Sequence, residues 1–168
     1  MKVKLSKAIG EQLIDAKIVK SSGLILPSIT DGWRFNFKKN SQKAGFKTYV
    51  LICSVTPDII EGCLTFQLRD KIEPYMAYVE IAPHNKGKTK QYNNVAGCLI
   101  AYACRLSFLL GKDHFKGWLA FDVLEENKED EVKLMAVYCE SYGALRWRET
   151  TLVISPEIGE NLINKFLK

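Results

Sequence analysis

The stretch Lys90-Gln-Tyr-Asn-Asn-Val-Ala-Gly-Cys-Leu-Ile-Ala-Tyr-Ala-Cys-Arg-Leu-Ser-Phe-Leu-Leu-Gly111 decides how the chain is read. A polar turn, Gln91-Tyr92-Asn93-Asn94, runs straight into a segment of small and aliphatic residues. The apolar part, Val95 to Leu110, is interrupted by Arg105 and is too short to span a bilayer, so it reads as a buried helix stopped at Gly111-Lys112. A helix N-terminus carries unpaired N–H groups and a partial positive charge, and it binds phosphate when the preceding turn lets the ligand approach. Such a turn needs a residue that accepts positive φ, and Asn94 is of that kind. Ala96 and Gly97 offer minimal side chains at the first helical turn, and Lys86, Lys88 and Lys90 add charge nearby. An ordinary capped helix packed in a core has the same outline, because Asn is a common cap and small residues pack helices closely.

Working outward, the three segments before this turn read as strands. Lys47 to Val55, Ile59 to Asp70 and Tyr75 to Pro83 are β-branched or aliphatic and are separated by short turns, which predicts an antiparallel meander. After the turn come a buried strand at Gly117 to Glu125, a helix at Val132 to Ser141 behind the acidic start "NKEDE", a strand at Arg148 to Pro156 and a closing helix. At the other end, Ile9, Leu13, Ile14 and Ile18 recur at helical spacing, which predicts a helix over Ser6 to Val19. Trp33, Phe35 and Phe37 form an alternating stripe after an Asp-Gly turn, and it reads as core rather than as a ligand wall. The expected architecture is α/β: a mixed sheet in which a meander is followed by a β-α-β-α-β unit, with helices on its faces.

Composition bounds the function. The chain has 168 residues, 47% hydrophobic and 26% charged, which fits a single domain over 1–168 with a real core. Its N-terminus has basic residues with no apolar run behind them, which predicts no secretory leader and a cytoplasmic protein. Five cysteines form no Cys-x-x-Cys pair, and with only His84 and His114 beside them no metal spacing arises; reduced, buried thiols are expected, and no metal. The net charge of +5 suits an anionic small ligand as well as nucleic acid, but the lysine cluster has only Tyr92 as an aromatic companion, a poor nucleic-acid face.

The strand "YMAYVEIAP", the turn "QYNNVAG", the long helix, the strand "GWLAFDVLE" and the helix "KLMAVYCESYGA" together resemble the acyl-CoA-binding core of the GNAT superfamily of N-acetyltransferases. "LPSITDGWRFNF", "VEIAPHN" and "LVISPEIGENLINKFL" are similar to a small bacterial branch of undefined substrate, so the resemblance runs from about Leu26 onward. The family turn reads Gln/Arg-x-x-Gly-x-Gly/Ala; here it is Gln91 to Ala96, with Asn94 in place of the middle glycine.

The resemblance implies acetyl-CoA as co-substrate and direct transfer of the acetyl group to an amine acceptor. The pyrophosphate would lie on the backbone of Gln91, Asn93, Asn94, Val95, Ala96 and Gly97, and the pantetheine arm along Val79 and Ile81. The strand carrying them would be splayed from the next, with the thioester in the gap. Glu80 is the base candidate, against a structural carboxylate, and Tyr138 the acid for the leaving thiolate, with Tyr142 in reserve. Family members commonly place this tyrosine four residues before a glycine; Tyr138 stands five before Gly143, and Cys139 holds the four-before position. The acceptor, from a small molecule, a peptide or a charged tRNA, would meet the N-terminal half, including Trp33, Arg34 and Phe35, and the protein would be a monomer or homodimer. A non-enzymatic acyl-CoA-binding or protein-interaction module on the same fold is the alternative.

Overall fold

The computed structural model describes all residues from Met1 to Lys168. The chain opens with a hairpin, β1 (Lys2–Lys7) and β2 (Leu13–Lys20), where a helix was expected over Ser6 to Val19. The reason is the true period of burial. Val3 and Leu5 pair with Ala16 and Ile14 and face the core, while Lys4, Asp15 and Lys17 alternate with them outward. Two of the four residues that produced the helical spacing, Ile9 and Leu13, are 91% and 64% exposed. The hairpin turn places Gly10 at φ 80° and Glu11 at φ 49°, a geometry that ends any continuous helix.

A loop then carries Trp33 and the one-turn helix α1 (Phe37–Asn40) before the expected meander: β3 (Lys47–Cys53), β4 (Ile60–Arg69) and β5 (Glu73–Ile81). A two-residue strand β6 (Tyr92–Asn93) leads into α2 (Val95–Leu110). Next come β7 (Leu119–Asp122), α3 (Lys128–Tyr142), β8 (Leu145–Arg146), β9 (Thr151–Ile154) and α4 (Pro156–Phe166). The nine strands form one sheet in the order β6-β1-β2-β3-β4-β5-β7-β9-β8. It is antiparallel except between β5 and β7, which α2 connects as a crossover. The mixed α/β sheet is the architecture the sequence predicts.

The two faces carry separate cores. Leu51, Leu64, Phe66, Leu119, Phe121 and Leu152 belong to the larger one, under residues of α2, α3 and α4. On the opposite face Leu26, Trp33 and Phe37 pack on Val50, Ile52 and Cys63. Trp33 and Phe37 are therefore core, as read from the stripe, although they sit on a loop and a helical turn rather than a strand.

The start of α2 is seated on β4 through a missing side chain. A Cβ on Gly62 would lie 2.7 Å from Leu99 Cδ1 and 2.9 Å from Val95 Cγ1. Gly97 serves a second close approach, since its Cβ would lie 2.5 Å from the Phe166 ring of α4. Gly62→Ala is expected to cost about 1–3 kcal/mol by overpacking. Urea denaturation should show the midpoint falling with the slope unchanged; an unaltered midpoint would mean that α2 is not held at this seat.

Candidate functional site

Asn94 adopts φ 70°, the left-handed conformation expected of it, and its side chain makes no capping bond to the helix it precedes. The first turn of α2 contains no acidic residue, so its positive end is uncompensated. The amides of Val95, Ala96 and Gly97 have no intrahelical acceptor at these positions. Ala96 is half-buried and Asn94 exposed, so the turn is open to solvent. Lys88 and Lys90 are exposed close by in sequence, whereas Lys86 is drawn to Glu80, with its Nζ 2.8 Å from Oε1.

Buried polar groups that sequence reading passed over hold this turn. Asn85 donates from Nδ2 to Glu61 Oε2 at 2.7 Å and to the Glu61 carbonyl at 3.2 Å. Its Oδ1 accepts from the Tyr92 amide at 3.1 Å. Glu61 also meets His84 Nε2 at 2.6 Å, and the Gln91 amide donates to the His84 carbonyl at 3.2 Å. Tyr92 and Asn93 are stitched to Lys7 and Ser6 of β1. The sequence carried no signal for them: alternation along β4 groups Glu61 with Cys63, Thr65 and Gln67, the more polar phase of the strand, and Asn85 looked like any polar loop residue.

The second half of the site is a gap in the sheet. β5 and β7 meet at one residue pair, Tyr75 and Ala120. Beyond it the register of β4 and β5 slips, so that Thr65 faces Tyr78 and Phe66 faces Met76, leaving Ala77 as a bulge. A bulge bends its strand, and here the bend accompanies the parting of β5 from β7. The resulting cavity, about 70 Å³, is lined by Arg34 and Phe35, by Met76 to Val79, by Phe121 to Leu124, and by Leu134 and Tyr138. Val79 thus lies at the gap, and Ile81 further along the same strand pairs with Gly62.

Tyr138 projects into the gap from α3 with its ring 4.9 Å from Phe121. Burial, aided by the neighbouring Tyr142, pushes its hydroxyl up to about 12, so it keeps its proton at neutral pH. Tyr142 lies outside the gap lining, with its ring 6.5 Å from Phe166. The cysteine thiols of Cys98 and Cys104 are each pushed up to about 12 by burial, and that of Cys53 to about 11, which keeps them protonated and unreactive.

Glu80 is buried on the opposite face, and its carboxylate is engaged. Oε1 accepts from the Arg34 amide at 2.8 Å and from Lys86, and Oε2 accepts from the Phe35 amide at 3.0 Å. Three donors leave it one acceptor site, on Oε2, for an amine proton. In this arrangement it fixes the backbone of Arg34 and Phe35 over the gap. The Arg34 guanidinium then crosses to the far lip, pairing with Glu125 and donating from Nη2 to the Leu124 carbonyl at 2.7 Å. Arg34 and Phe35 are thus lining residues, while Trp33 is core.

Asp122 is a lining carboxylate that the sequence did not single out. It accepts from Tyr75 Oη at 2.6 Å, Thr151 Oγ1 at 2.6 Å and Thr150 Oγ1 at 3.1 Å. Burial pushes its carboxyl up, but the hydrogen bonds from Thr151, Tyr75 and Thr150 outweigh it and hold the group below the ordinary carboxylate range.

No protein-family model matches the sequence, and neither does any curated protein. Solved structures do share the fold. A KacTA–DNA complex has a chain 14% identical that superposes with a TM-score of 0.58, covering 89% of this chain and 99% of its own. The toxin AtaT, bound to the C-terminus of the antitoxin AtaR and acetyl-CoA, is 14% identical with a TM-score of 0.54, covering 88% and 98%. The spermidine N-acetyltransferase SpeG of Vibrio cholerae, solved with CoA and spermine, is 16% identical with a TM-score of 0.51, covering 74% of each chain. The chain has the GNAT fold. No helix in it is long and apolar enough to cross a membrane.

The depressed pKa of Asp122 makes a pH prediction. The ionised group contributes stability above its unfolded value, near 3.9, and that contribution is lost as pH falls through the lower folded value. Asp122→Asn should flatten the loss of stability between about pH 5 and pH 2, read from urea midpoints across that range. An unchanged pH profile would show that its three hydrogen bonds do not depend on the charge.

Proposed function

We propose that the protein transfers an acetyl group from acetyl-CoA directly to an amine. The reading is supported chiefly by one juxtaposition: an open helix N-terminus behind a left-handed asparagine, seated over Gly62 beside Ile81 at the C-terminal end of β5, the strand that parts from β7. Anion binding and thioester access are separate requirements, and this arrangement brings a candidate for each to one strand end.

In this mechanism the pyrophosphate accepts hydrogen bonds from the amides of the Asn93 to Gly97 segment, with Gln91 beside it and Lys88 and Lys90 adding charge. The pantetheine arm lies along the edge of β5 at Val79 and Ile81, where no strand pairs with it from β7. The thioester carbonyl reaches the gap. The neutral amine attacks the carbonyl carbon, the C–N bond forms, and collapse of the tetrahedral intermediate breaks the C–S bond. The leaving thiolate takes the Tyr138 proton. The amine proton passes to Glu80 or to water, and Tyr138 is reprotonated from solvent. The acceptor is a small molecule, a peptide or a charged tRNA.

A second reading, a non-enzymatic acyl-CoA-binding module, is favoured by the engaged state of Glu80 and by the Arg34 strap across the gap. The two readings part on turnover. Calorimetric titration with acetyl-CoA is expected to give micromolar binding that Ala96→Glu abolishes, since an added carboxylate meets the phosphates. With an amine panel and thiol release as the assay, Tyr138→Phe should lower kcat by roughly 10²-fold with acetyl-CoA binding intact. Binding without turnover on any amine supports the module, and no binding to folded wild type ends both readings.

A further inference from the structure

A second cavity lies outside the gap. It is a groove of about 780 Å³ on the far side of the sheet from α2, α3 and α4. Leu119, Phe121, Leu152 and Ile154 point into the larger core, so the alternate residues Ala120, Thr151 and Val153 face the other way and line this groove. Two indoles flank it. Trp118, immediately before β7, is 39% exposed, and Trp147, between β8 and β9, is 66% exposed. The third tryptophan, Trp33, is 7% exposed, so the chain leaves to water only the indoles at this groove. Phe115 and His114 stack on each other at 4.2 Å beside Trp118.

The formal charges of the lining cancel. Arg69 pairs with Glu73 at 3.0 Å, and Arg148 is offset by Asp70. Such a lining attracts neither a polyanion nor a polycation, and flat aromatic walls favour a flat or apolar body.

One layer of side chains joins groove and gap. Thr151 lines the groove and donates to Asp122, which lines the gap and accepts from Tyr75. Volume separates their uses. About 70 Å³ at the gap accommodates the reacting atoms and little else, whereas 780 Å³ lies within the range of pockets that hold a whole small ligand.

We infer that the groove seats the body of the acceptor, that the acceptor is an amine carried on an aromatic or apolar frame, and that Asp122 accepts a hydrogen bond from its amine end beside the gap. This rests on the acetyltransferase reading and adds the substrate class. Trp118 and Trp147 determine specificity; Asp122 positions.

The test uses 2-phenylethylamine as probe, with spermidine and glucosamine as the cationic and polar comparisons. Tryptophan emission excited at the red edge, without acetyl-CoA, should change saturably with 2-phenylethylamine and not with the other two. Trp147→Ala and Trp118→Ala, both at exposed positions, should each weaken that binding roughly tenfold, equivalent to about 1.4 kcal/mol. In the thiol-release assay the same variants should raise KM for 2-phenylethylamine by a similar factor, with kcat and calorimetric acetyl-CoA binding near wild type. Absence of saturable probe binding, binding that both variants leave unchanged, or turnover of spermidine or glucosamine in preference to the probe would overturn the inference. If acetyl-CoA fails to bind while the probe titration succeeds, the acetyltransferase reading falls and the acceptor role with it, and the groove stands as an aromatic-amine site only.

Discussion

Two parallel strands that touch once and then part are the constraint on which the rest depends. A fully paired β5 and β7 would satisfy their backbones and leave no entrance. One bridge, Tyr75 to Ala120, keeps the sheet continuous. The Tyr75 hydroxyl on Asp122 adds a side-chain tie just past that bridge, and the Ala77 bulge turns β5 away beyond it. The freed backbone edges need other partners, from solvent or from a ligand's amides. The Arg34 strap and the Glu80 clamp span the gap by side chains and loop amides, contacts that are easier to rearrange than a strand ladder.

The placement of α2 is the second constraint, and small residues set it. Gly62 lets the helix start sit on β4, and Gly97 lets α4 close over it. A glycine in the first turn of a helix with an open N-terminus invites a reading as ligand contact. At Gly97 the absent side chain answers to Phe166, while its amide stays at the helix N-terminus.

Much of the fold and part of the site were legible in the sequence. The meander, the long helix, its stop at Gly111 and the unit that follows came from β-branched runs and turn residues, and the left-handed Asn94 came from what asparagine tolerates. The N-terminal hairpin was not legible as such. Short amphipathic strands supply apolar residues at several spacings, and Ile9 and Leu13, both solvent-facing, completed a helical pattern by coincidence. Long-range polar contacts were hidden for a different reason. Glu61 to Asn85, Glu80 to Arg34 and Asp122 to Thr151 each join residues that become neighbours only in the closed sheet. Glu80 was singled out by its position on β5, yet two of its three partners, the amides of Arg34 and Phe35, lie on a loop far upstream.

The stitching of β6 to β1 carries a consequence for how the site comes into being. Ser6 meets Asn93, and Lys7 meets Tyr92, only after the intervening hairpin and meander have been laid side by side. Closing so long a stretch of chain is entropically expensive and is rewarded late. The turn at Asn93 and Asn94 therefore takes its final form near the end of folding, when the far edge of the sheet has been pinned. A nascent chain that has made α2 but has not yet seated its first strand owns the helix and its dipole without the approach in front of it. The approach in front of α2 is thus a property of the finished sheet, and not of the local sequence that first drew attention to it.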